Sequence, residues 1–344
     1  MLDAIALGDI NVDVIAHFAR YPDKGEDALA YSTEIHCGGS AANTVVALSR
    51  MGIKASLISR VGPDSWALKA LSCLEEAGVD PRGLQRDPAA MTGFMYVVVT
   101  SDGERTILGH RGANVFTDPA QIREADFLEA RLFHLSGYAL LAESQRSAAL
   151  LALEMACRHD LAVTLDPGMS VSKAALDAIR AVLPAVNILL PNLPEAQDLT
   201  GCTLPEDCAR ALLASGVQLV ALKLGREGCL VAKGDQMEHV PAFAVRTRDS
   251  TGAGDSFAAG LIAGLLGGLD HRSAAVLGNA LGAMSAAQVG AGTAFPKARE
   301  VLALLREHHY EPTHNNCVDA IQQAIDYVTT LATPPKEEGR PWWA

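Results

Sequence analysis

One stretch, residues 249–268, constrains the fold of this chain more than any other. It begins with polar residues and glycines (DSTGAGD) and continues as an apolar run of Ala, Leu and Gly. The run is too short to cross a bilayer, so it predicts a buried helix that is entered through a glycine turn. The first backbone N–H groups of such a helix have no partners within it and, with the helix dipole, they form an anion site.

Asp255 lies just inside this predicted anion site, where its charge would repel a bound phosphate. Gly252, Ala253 and Gly254 are small enough to let a phosphate approach the backbone. A carboxylate in this place is useful if it removes a proton from a hydroxyl that attacks the phosphorus atom. The pattern therefore favours phosphoryl transfer with Asp255 as general base. The alternative is that Asp255 only caps a core helix.

Composition restricts the kinds of protein that this chain can be. It has 344 residues, 49% of them hydrophobic, and a formal net charge of −12. One large α/β domain or two smaller ones fit this length, and the acidic balance argues against a nucleic-acid partner. The chain has no run of eighteen consecutive apolar residues, so the sequence predicts no membrane span. Seven scattered cysteines, and the lack of a basic leader, predict a cytoplasmic protein without a disulfide framework.

The first part of the chain carries a second polar and glycine-rich pattern. Asn11 and Asp13 follow a short apolar strand at alternating positions, so they face the same way if the chain stays extended. They could bind the hydroxyls of a polyol or lie on a solvated edge. Gly38 and Gly39 then precede a predicted helix that contains Asn43, whose amide can both donate and accept hydrogen bonds.

The order of predicted strands and helices indicates the fold class. After residue 130 they alternate regularly, which favours right-handed βαβ units and a mostly parallel sheet. Residues 92–111 differ, because two β-rich segments flank a polar turn at 101–104 and predict a hairpin. With segments near 10–18 and 28–37, this hairpin is expected to form a small second sheet.

Together these patterns resemble the ribokinase-like (PfkB) carbohydrate kinase family. The segment from Asp249 through the GAGD sequence to Leu261 is similar to the C-terminal signature of that family. The spacing of Gly38-Gly39, Asn43, Gly52 and Gly62 is similar to that of the family's N-terminal signature.

The resemblance implies a three-layer ribokinase-like α/β fold, with a mostly parallel central sheet and a small β-sheet lid over the sugar. It covers about residues 1–305. We therefore expect a kinase domain over residues 1–310, with lid segments at about 10–18, 28–37 and 92–111, and a C-terminal extension over residues 311–344. A homodimer formed through the lid is the family's usual assembly.

The same resemblance implies which residues form the site. The catalytic group would be Asp255, assisted by the backbone of Gly252, Ala253 and Gly254. The substrate would be held by Asn11, Asp13, Gly38, Gly39, Asn43 and Glu143. The nucleotide would lie beside Asn192, Lys223, Gly225, Gly228 and Asn279.

Asn192 and Glu195 are candidates for a magnesium site. They match the family's Asn-x-x-Glu motif at the end of a predicted strand. An amide oxygen and a carboxylate there suit Mg²⁺ bound through its waters, at the edge where ligands of open α/β sheets collect. The alternative is a plain helix start, with Pro194 in the first turn.

A monovalent cation such as K⁺ is a further implication of the resemblance. Asp249 and Thr251, with the loop of residues 286–293, match the segments that hold such an ion in many relatives. Ala294 stands where ribokinases often have a hydroxyl residue. The match therefore supports backbone ligands only and leaves activation by K⁺ undecided.

The function implied is ATP-dependent phosphorylation of a hydroxyl on a ribose- or ketose-like sugar. A nucleoside kinase is one alternative, because Phe94, Met95 and Tyr96 could contact a base. A phosphosugar kinase is another, because Arg105 and Arg111 could bind a phosphate; a solvated face is the simpler interpretation of these arginines. A non-catalytic sugar sensor is the least favoured, since the predicted base and anion site are both present.

Overall fold

The structure, a computed structural model, describes residues 2–168 and 173–332, so the end of the expected extension (residues 333–344) lies outside it. Its strands are β1 (Ala4–Leu7), β2 (Asn11–Phe18), β3 (Ser32–Gly38), β4 (Ala55–Val61), β5 (Leu84–Arg86), β6 (Gly93–Thr100), β7 (Arg105–His110), β8 (Leu132–Ser136), β9 (Ala162–Asp166), β10 (Ile188–Leu189), β11 (Leu219–Lys223), β12 (Cys229–Lys233) and β13 (Gln236–Val240). Its helices are α1 (Ser40–Arg50), α2 (Ser65–Ala77), α3 (Glu124–Leu128), α4 (Glu143–Arg158), α5 (Lys173–Val182), α6 (Leu193–Thr200), α7 (Pro205–Ala214), α8 (Ala253–Leu266), α9 (His271–Ala286), α10 (Ala298–His308) and α11 (Val318–Ala332).

The central sheet has nine strands in the order β13-β12-β11-β10-β9-β8-β1-β4-β5. The strands from β11 to β5 run parallel, and β12 and β13 are added antiparallel at one edge. Strands β1 and β8 are buried throughout, as expected for strands that are covered on both faces. The mostly parallel sheet predicted from the sequence is confirmed.

The second sheet, called the lid sheet below, has the order β3-β2-β6-β7. Its strand β2 pairs antiparallel with β3 and parallel with β6, so Asn11 lies between Gly38 and Gly93. Strand β3 begins at Ser32, later than the expected residue 28, because β2 ends at Phe18 and offers no partner beyond this point. The small second sheet is thus confirmed, with one strand shorter than expected.

Helices cover both faces of the central sheet and complete the three layers. One apolar core contains residues of α1, α8, α9 and α11, and the other contains residues of α4, α6 and α7. Helices α8 and α9 approach closely at Gly260, where an added Cβ would lie 2.6 Å from the Leu277 carbonyl oxygen. Ile321, Ala324 and Val328 of α11 are buried in the first core, so this part of the expected extension packs against the kinase fold.

The cysteine prediction was wrong for one pair. Cys37, at the end of β3, and Cys73, on α2, form a disulfide with their Cα atoms 6.5 Å apart. They are 36 residues apart in the sequence, and only the packing of the lid sheet against α2 brings them together. None of the helices within the described ranges has the length and apolar character that a membrane span requires.

Candidate active site

The carboxyl edge of the central sheet brings the predicted site residues together. Asp166 ends β9 and Lys223 ends β11, and both strands run in the same direction as β1, which precedes Asp9. Helix α8 points its amino end at this edge, since a Cβ on Gly254 would lie 3.4 Å from Lys223 Nζ. Ligands of open α/β sheets bind at this edge, so the geometry identifies the candidate site.

The anion loop, residues 252–255, begins helix α8. Gly252 occupies the N-cap with a φ of 73°, and a Cβ there would lie 2.8 Å from the Phe295 ring. A side chain at this position would therefore be both strained and obstructed. Ala253, Gly254 and Asp255 follow in the first turn, and the Ala253 amide donates to the Ser250 carbonyl oxygen at 3.2 Å. The amides of Gly254 and Asp255 have no partner within the helix and can bind an anion.

Two residues of helix α1 hold the Asp255 carboxylate. Ser40 Oγ donates to Oδ1 and Asn43 Nδ2 donates to Oδ2, both at 2.8 Å. Burial, and next the charge of Asp166, raise the pKa of Asp255 to about 6, although these two hydrogen bonds act in the opposite direction. Asp255 is thus ionised at neutral pH and remains basic enough to accept a proton.

Asp13, on β2, is a second buried carboxylate of the site. It is 8% exposed, and its Oδ1 atom has no hydrogen-bond partner among the described residues. Burial, followed by the charges of Asp255 and Asp249, raises the pKa of Asp13 to about 7. A Cβ on Gly38 would lie only 2.2 Å from this carboxylate, so the glycine leaves the space that Asp13 occupies.

The other predicted substrate residues are held by their neighbours. Gly39 has a φ of 96°, and a Cβ there would lie 2.3 Å from the carbonyl oxygen of Asp9. Asn11 Oδ1 accepts a hydrogen bond of 3.0 Å from Asn114 Nδ2. Asn114 also accepts from the Ile10 amide at 2.9 Å, so it fixes the start of β2.

Asp9 is engaged by an arginine from the end of the lid hairpin. Arg111 donates from Nε and Nη2 to the two oxygens of Asp9, both at 2.7 Å. Gln145 Nε2 donates to Asp9 Oδ1 at 2.8 Å. Glu143 is the first residue of α4, and it is the neighbouring Gln145 that reaches into this network.

Lys223, one of the predicted nucleotide residues, is held by a buried carboxylate. Its Nζ lies 2.6 Å from Asp166 Oδ2, and both side chains are largely buried. Burial acts to lower the pKa of Lys223, but the charges of Asp166 and Glu195 outweigh it and raise the pKa. Lys223 therefore stays charged beside the anion loop, where it can neutralise a phosphate.

Asn192 and Glu195 form a capping box at the start of α6. The Glu195 amide donates to Asn192 Oδ1 at 2.9 Å, and the Asn192 amide donates back to Glu195 Oε2 at 2.8 Å. Burial, and next the charge of Asp166, raise the pKa of Glu195 to about 7. The helix start that the sequence left as an alternative is therefore present.

The remaining predicted nucleotide residues line the turns around β12 and β13. Gly225 has a φ of 61°, and a Cβ there would meet no atom within 4 Å, so this position borders open space. A Cβ on Gly228 would lie 2.1 Å from the Val240 carbonyl oxygen. Asn279 Nδ2 donates to the carbonyl oxygens of Val240 and Pro241 at 3.0 and 3.1 Å.

Comparison with known proteins identifies the family. Residues 1–298 match the sequence profile of the family described as pfkB family carbohydrate kinase. The chain belongs to the PfkB carbohydrate kinase family. The family resemblance noted in the sequence is confirmed, and the protein is an ATP-dependent carbohydrate kinase.

Curated relatives and solved structures agree with this assignment. Haemophilus influenzae ribokinase is 28% identical over 307 residues, covering 88% of this kinase and 97% of that protein. The ATP-dependent ribose-1-phosphate kinase of Halopiger xanaduensis is 32% identical over 308 residues, covering 89% and 99%. A provisionally named ribokinase II of E. coli, solved with ATP and Mg²⁺, has a TM-score of 0.80 and 24% identity, covering 90% of this kinase and 100% of that chain.

A magnesium site in this kinase would rely on phosphate and water ligands. Within residues 2–168 and 173–332, no three His, Cys, Asp or Glu side chains are arranged to hold a metal ion. Asn192 and Glu195 are already joined to each other in the capping box. Carboxylates that face a metal through its waters fit the behaviour of Mg²⁺, which loses its waters reluctantly.

Three residues that the sequence did not indicate are joined by the structure to predicted site residues of this kinase, and a fourth, Gln145, is joined to Asp9. Ser40 donates to Asp255, Asp166 pairs with Lys223, Asn114 donates to Asn11 and Gln145 donates to Asp9. Two of them carried a local signal, because Ser40 follows the glycine pair and Asp166 ends a predicted strand. The other two lie more than 100 residues from their partners and carried none.

We predict that removing a donor to Asp255 moves the acidic limb of the pH–rate profile. Asn43→Ala and Ser40→Ala each remove a hydrogen bond that favours the ionised carboxylate, so the pKa of Asp255 should rise. With Asp255 as the general base expected from the sequence, activity should then be lost at a higher pH as the pH falls. The measurement is kcat/KM between about pH 5 and 8 for each variant.

Ser49→Ala is the matched control, since Ser49 lies in the last turn of the same helix and its hydroxyl has no hydrogen-bond partner among the described residues. It should leave the profile unchanged. An acidic limb at the wild-type pH in both Asn43→Ala and Ser40→Ala would show that Asp255 does not set that limb.

Proposed function

We propose that this kinase transfers the γ-phosphoryl group of ATP to a hydroxyl of a ribose- or ketose-like sugar, with Asp255 as the general base. One observation carries the proposal. The Asp255 carboxylate lies in the first turn of α8, is held by Ser40 and Asn43, and has a pKa raised to about 6. A base poised close to neutral pH beside an anion site is what hydroxyl phosphorylation requires.

The sugar side of the reaction is assigned to the first strands of the chain. Asp13 has a buried carboxylate oxygen without a partner, and a sugar hydroxyl would supply the missing hydrogen bond. Gly38 lies directly against this carboxylate, and Asn11 is the backbone partner of Gly38 in the lid sheet. Asn43 is assigned both to the sugar, as the family resemblance implies, and to the base, because its amide donates to Asp255.

The chemical step moves one proton and one phosphoryl group. Asp255 accepts the proton of the sugar hydroxyl, whose oxygen forms a bond to the γ-phosphorus atom. The bond from this phosphorus atom to the bridging oxygen of ADP breaks, and ADP leaves. The amides at the start of α8 and the charged Lys223 stabilise the negative charge on the transferring group.

Mg²⁺ is assigned to the edge formed by Asp166, Asn192 and Glu195. Bound to ATP, the ion supplies positive charge that neutralises the phosphates. These residues would hold it through its waters, since the capping box and the pair with Lys223 already engage their side chains. The E. coli structure with ATP and Mg²⁺ supports both cofactors.

A phosphosugar kinase is the second candidate. The relative from Halopiger xanaduensis, named for action on ribose 1-phosphate, supports it. Against it, Arg105 and Arg111 are both engaged by carboxylates of this chain. A nucleoside kinase has less support, since Phe94 is already in ring contact with His110 at 5.9 Å.

We place the kinase in the cytoplasm, where ATP and free sugars meet; recovery in a membrane or secreted fraction would contradict this.

We also propose the division into a kinase domain over residues 1–310 and an extension over residues 311–344.

We further propose a homodimer formed through the lid sheet. Strand β7, at one edge of this sheet, is exposed over its whole length, and its Ile107 and Leu108 are 62% and 51% exposed. Ile35, which is 46% exposed, lies on β3 at the opposite edge. An exposed apolar group on an edge strand is typical of a protein–protein contact. Light scattering at micromolar concentration should give twice the chain mass, and a monomer mass would disprove the assembly.

The proposed function is tested by ADP release with Mg-ATP against ribose, deoxyribose, fructose, their phosphates and adenosine. We expect release with an unphosphorylated sugar that exceeds release with the phosphosugars and adenosine by about tenfold or more in kcat/KM. Omission of Mg²⁺ should abolish it. Preference for ribose 1-phosphate would favour a phosphosugar kinase instead. Ligand-induced stabilisation without ADP release would favour a non-catalytic sugar sensor.

The general base is tested by Asp255→Asn, which keeps the shape of the side chain and removes its proton affinity. We expect kcat to fall by about 10²- to 10⁴-fold, the usual contribution of a general base. Calorimetry should show that the variant retains its affinity for ATP, because the charge that is removed repels the phosphates and does not help to bind them. Asp235→Asn, in the exposed turn between β12 and β13, is the control and should behave as wild type. Near-normal turnover of Asp255→Asn would disprove the assignment.

A further inference from the structure

Asp249 connects the two chain segments that border the anion loop. Its Oδ1 accepts from the Thr251 amide at 2.7 Å, and its Oδ2 accepts from the Gly290 amide at 2.9 Å. The carboxylate thus joins the residues just before α8 to the loop that follows α9. Its side chain is 3% exposed, so its charge is largely removed from water and needs compensation.

The compensating charge comes from the lid sheet. Arg105, the first residue of β7, lies 144 positions earlier in the chain than Asp249. Its Nη1 donates to Thr251 Oγ1 at 2.6 Å, and its Nη2 forms an ion pair with Asp249 Oδ1. Strand β7 is exposed along its length, but the side chain of Arg105 reaches Asp249 and Thr251 and is itself only 29% exposed.

The residues around Asp249 do not fit a monovalent cation as they stand. The family resemblance places such an ion against Asp249 and Thr251, and a cation needs oxygen lone pairs directed at it. Both oxygens of Asp249 already accept backbone hydrogen bonds, and Oδ1 also faces the guanidinium. A second cation on this oxygen would be repelled by Arg105, and Ala294 offers no hydroxyl in its place.

The charge on Asp249 matters for the neighbouring carboxylates. Asp249 and Asp255 both act electrostatically on Asp13, so an uncompensated Asp249 would add to the repulsion within the site. The hydrogen bonds of Asp249 also fix the chain that enters the anion loop. Neutralising and holding Asp249 therefore affects the geometry in which the phosphate is bound.

We propose that the guanidinium of Arg105 takes the place of the monovalent cation, so that the lid sheet itself supplies the charge that holds Asp249 and orders the anion loop. This inference rests on the proposed phosphoryl transfer. Arg105 is a positioning residue, because its side-chain contacts are with Asp249 and Thr251 and it acts through them. It follows that the wild-type kinase needs no K⁺ and that loss of Arg105 creates a requirement for a cation.

The experiment compares wild type, Arg105→Ala and Arg105→Lys in KCl, NaCl and choline chloride at equal ionic strength. Wild-type turnover should be the same in all three salts. In choline chloride, Arg105→Ala should lose about tenfold to a hundredfold in kcat, as expected when a positioning contact is removed. KCl or a few millimolar guanidinium should restore part of it, and KM for the sugar should change less than kcat.

The lysine variant keeps the charge and should need added cation less than the alanine variant does. Arg20→Ala is the matched control, since Arg20 is an exposed arginine beyond β2 that pairs with Glu26. It should keep the wild-type rate and salt response. A wild-type enzyme stimulated severalfold by K⁺, with the same response in Arg105→Ala, would overturn the inference. So would a loss in Arg105→Ala that neither K⁺ nor guanidinium restores and that appears mainly in KM for the sugar.

A binding readout keeps this test separate from the proposed function. Thermal unfolding should show Arg105→Ala stabilised by KCl relative to choline chloride, with no such shift in wild type. This measurement applies even if ADP release is absent with every substrate, which would disprove the proposed function alone. Equal responses of the two proteins to KCl would overturn the inference about Arg105 alone.

Discussion

The active edge of this kinase depends on carboxylates that are held close together away from water. Asp166 raises the pKa of both Asp255 and Glu195, and Asp255 in turn raises that of Asp13. Such a group of like charges would be unstable without compensation. Lys223 supplies a positive charge at its centre, and the amino end of α8 adds a partial one. The fold therefore has to bring the start of β2, the ends of β9 and β11 and the start of α8 to one place.

The balance within this group sets the basicity that the proposed role of Asp255 requires. Burial and Asp166 make its carboxylate harder to ionise, whereas Ser40, Asn43 and the helix dipole make it easier. The raising influences prevail in part, so the pKa of Asp255, about 6, lies between that of a free carboxyl group and neutral pH. A carboxylate in this range is ionised at neutral pH and more basic than a free one.

Much of the fold could be predicted because its signals are local. Glycine turns before α1 and α8, the β-rich hairpin of the lid sheet and the regular alternation after residue 130 all depend on neighbouring residues. The partners of individual side chains could not be predicted from such local signals. Asn43 was assigned to the substrate, and the structure shows its amide on Asp255, 212 residues away. Cys37 and Cys73 were expected to be free because their spacing carries no signal, and the pairing depends on how the lid sheet packs.

The two arginines of the lid hairpin bear directly on the choice between a neutral and a phosphorylated sugar. Both were candidates for binding a substrate phosphate, but each pairs with a buried carboxylate, Arg105 with Asp249 and Arg111 with Asp9. If a phosphate displaced the Asp9 carboxylate from Arg111, a side chain that is 5% exposed would lose its counter-charge. Breaking a buried pair in this way costs about 3–5 kcal/mol, which the new phosphate contact would have to exceed. A neutral sugar needs no such exchange, so the electrostatics of this chain favour an unphosphorylated acceptor.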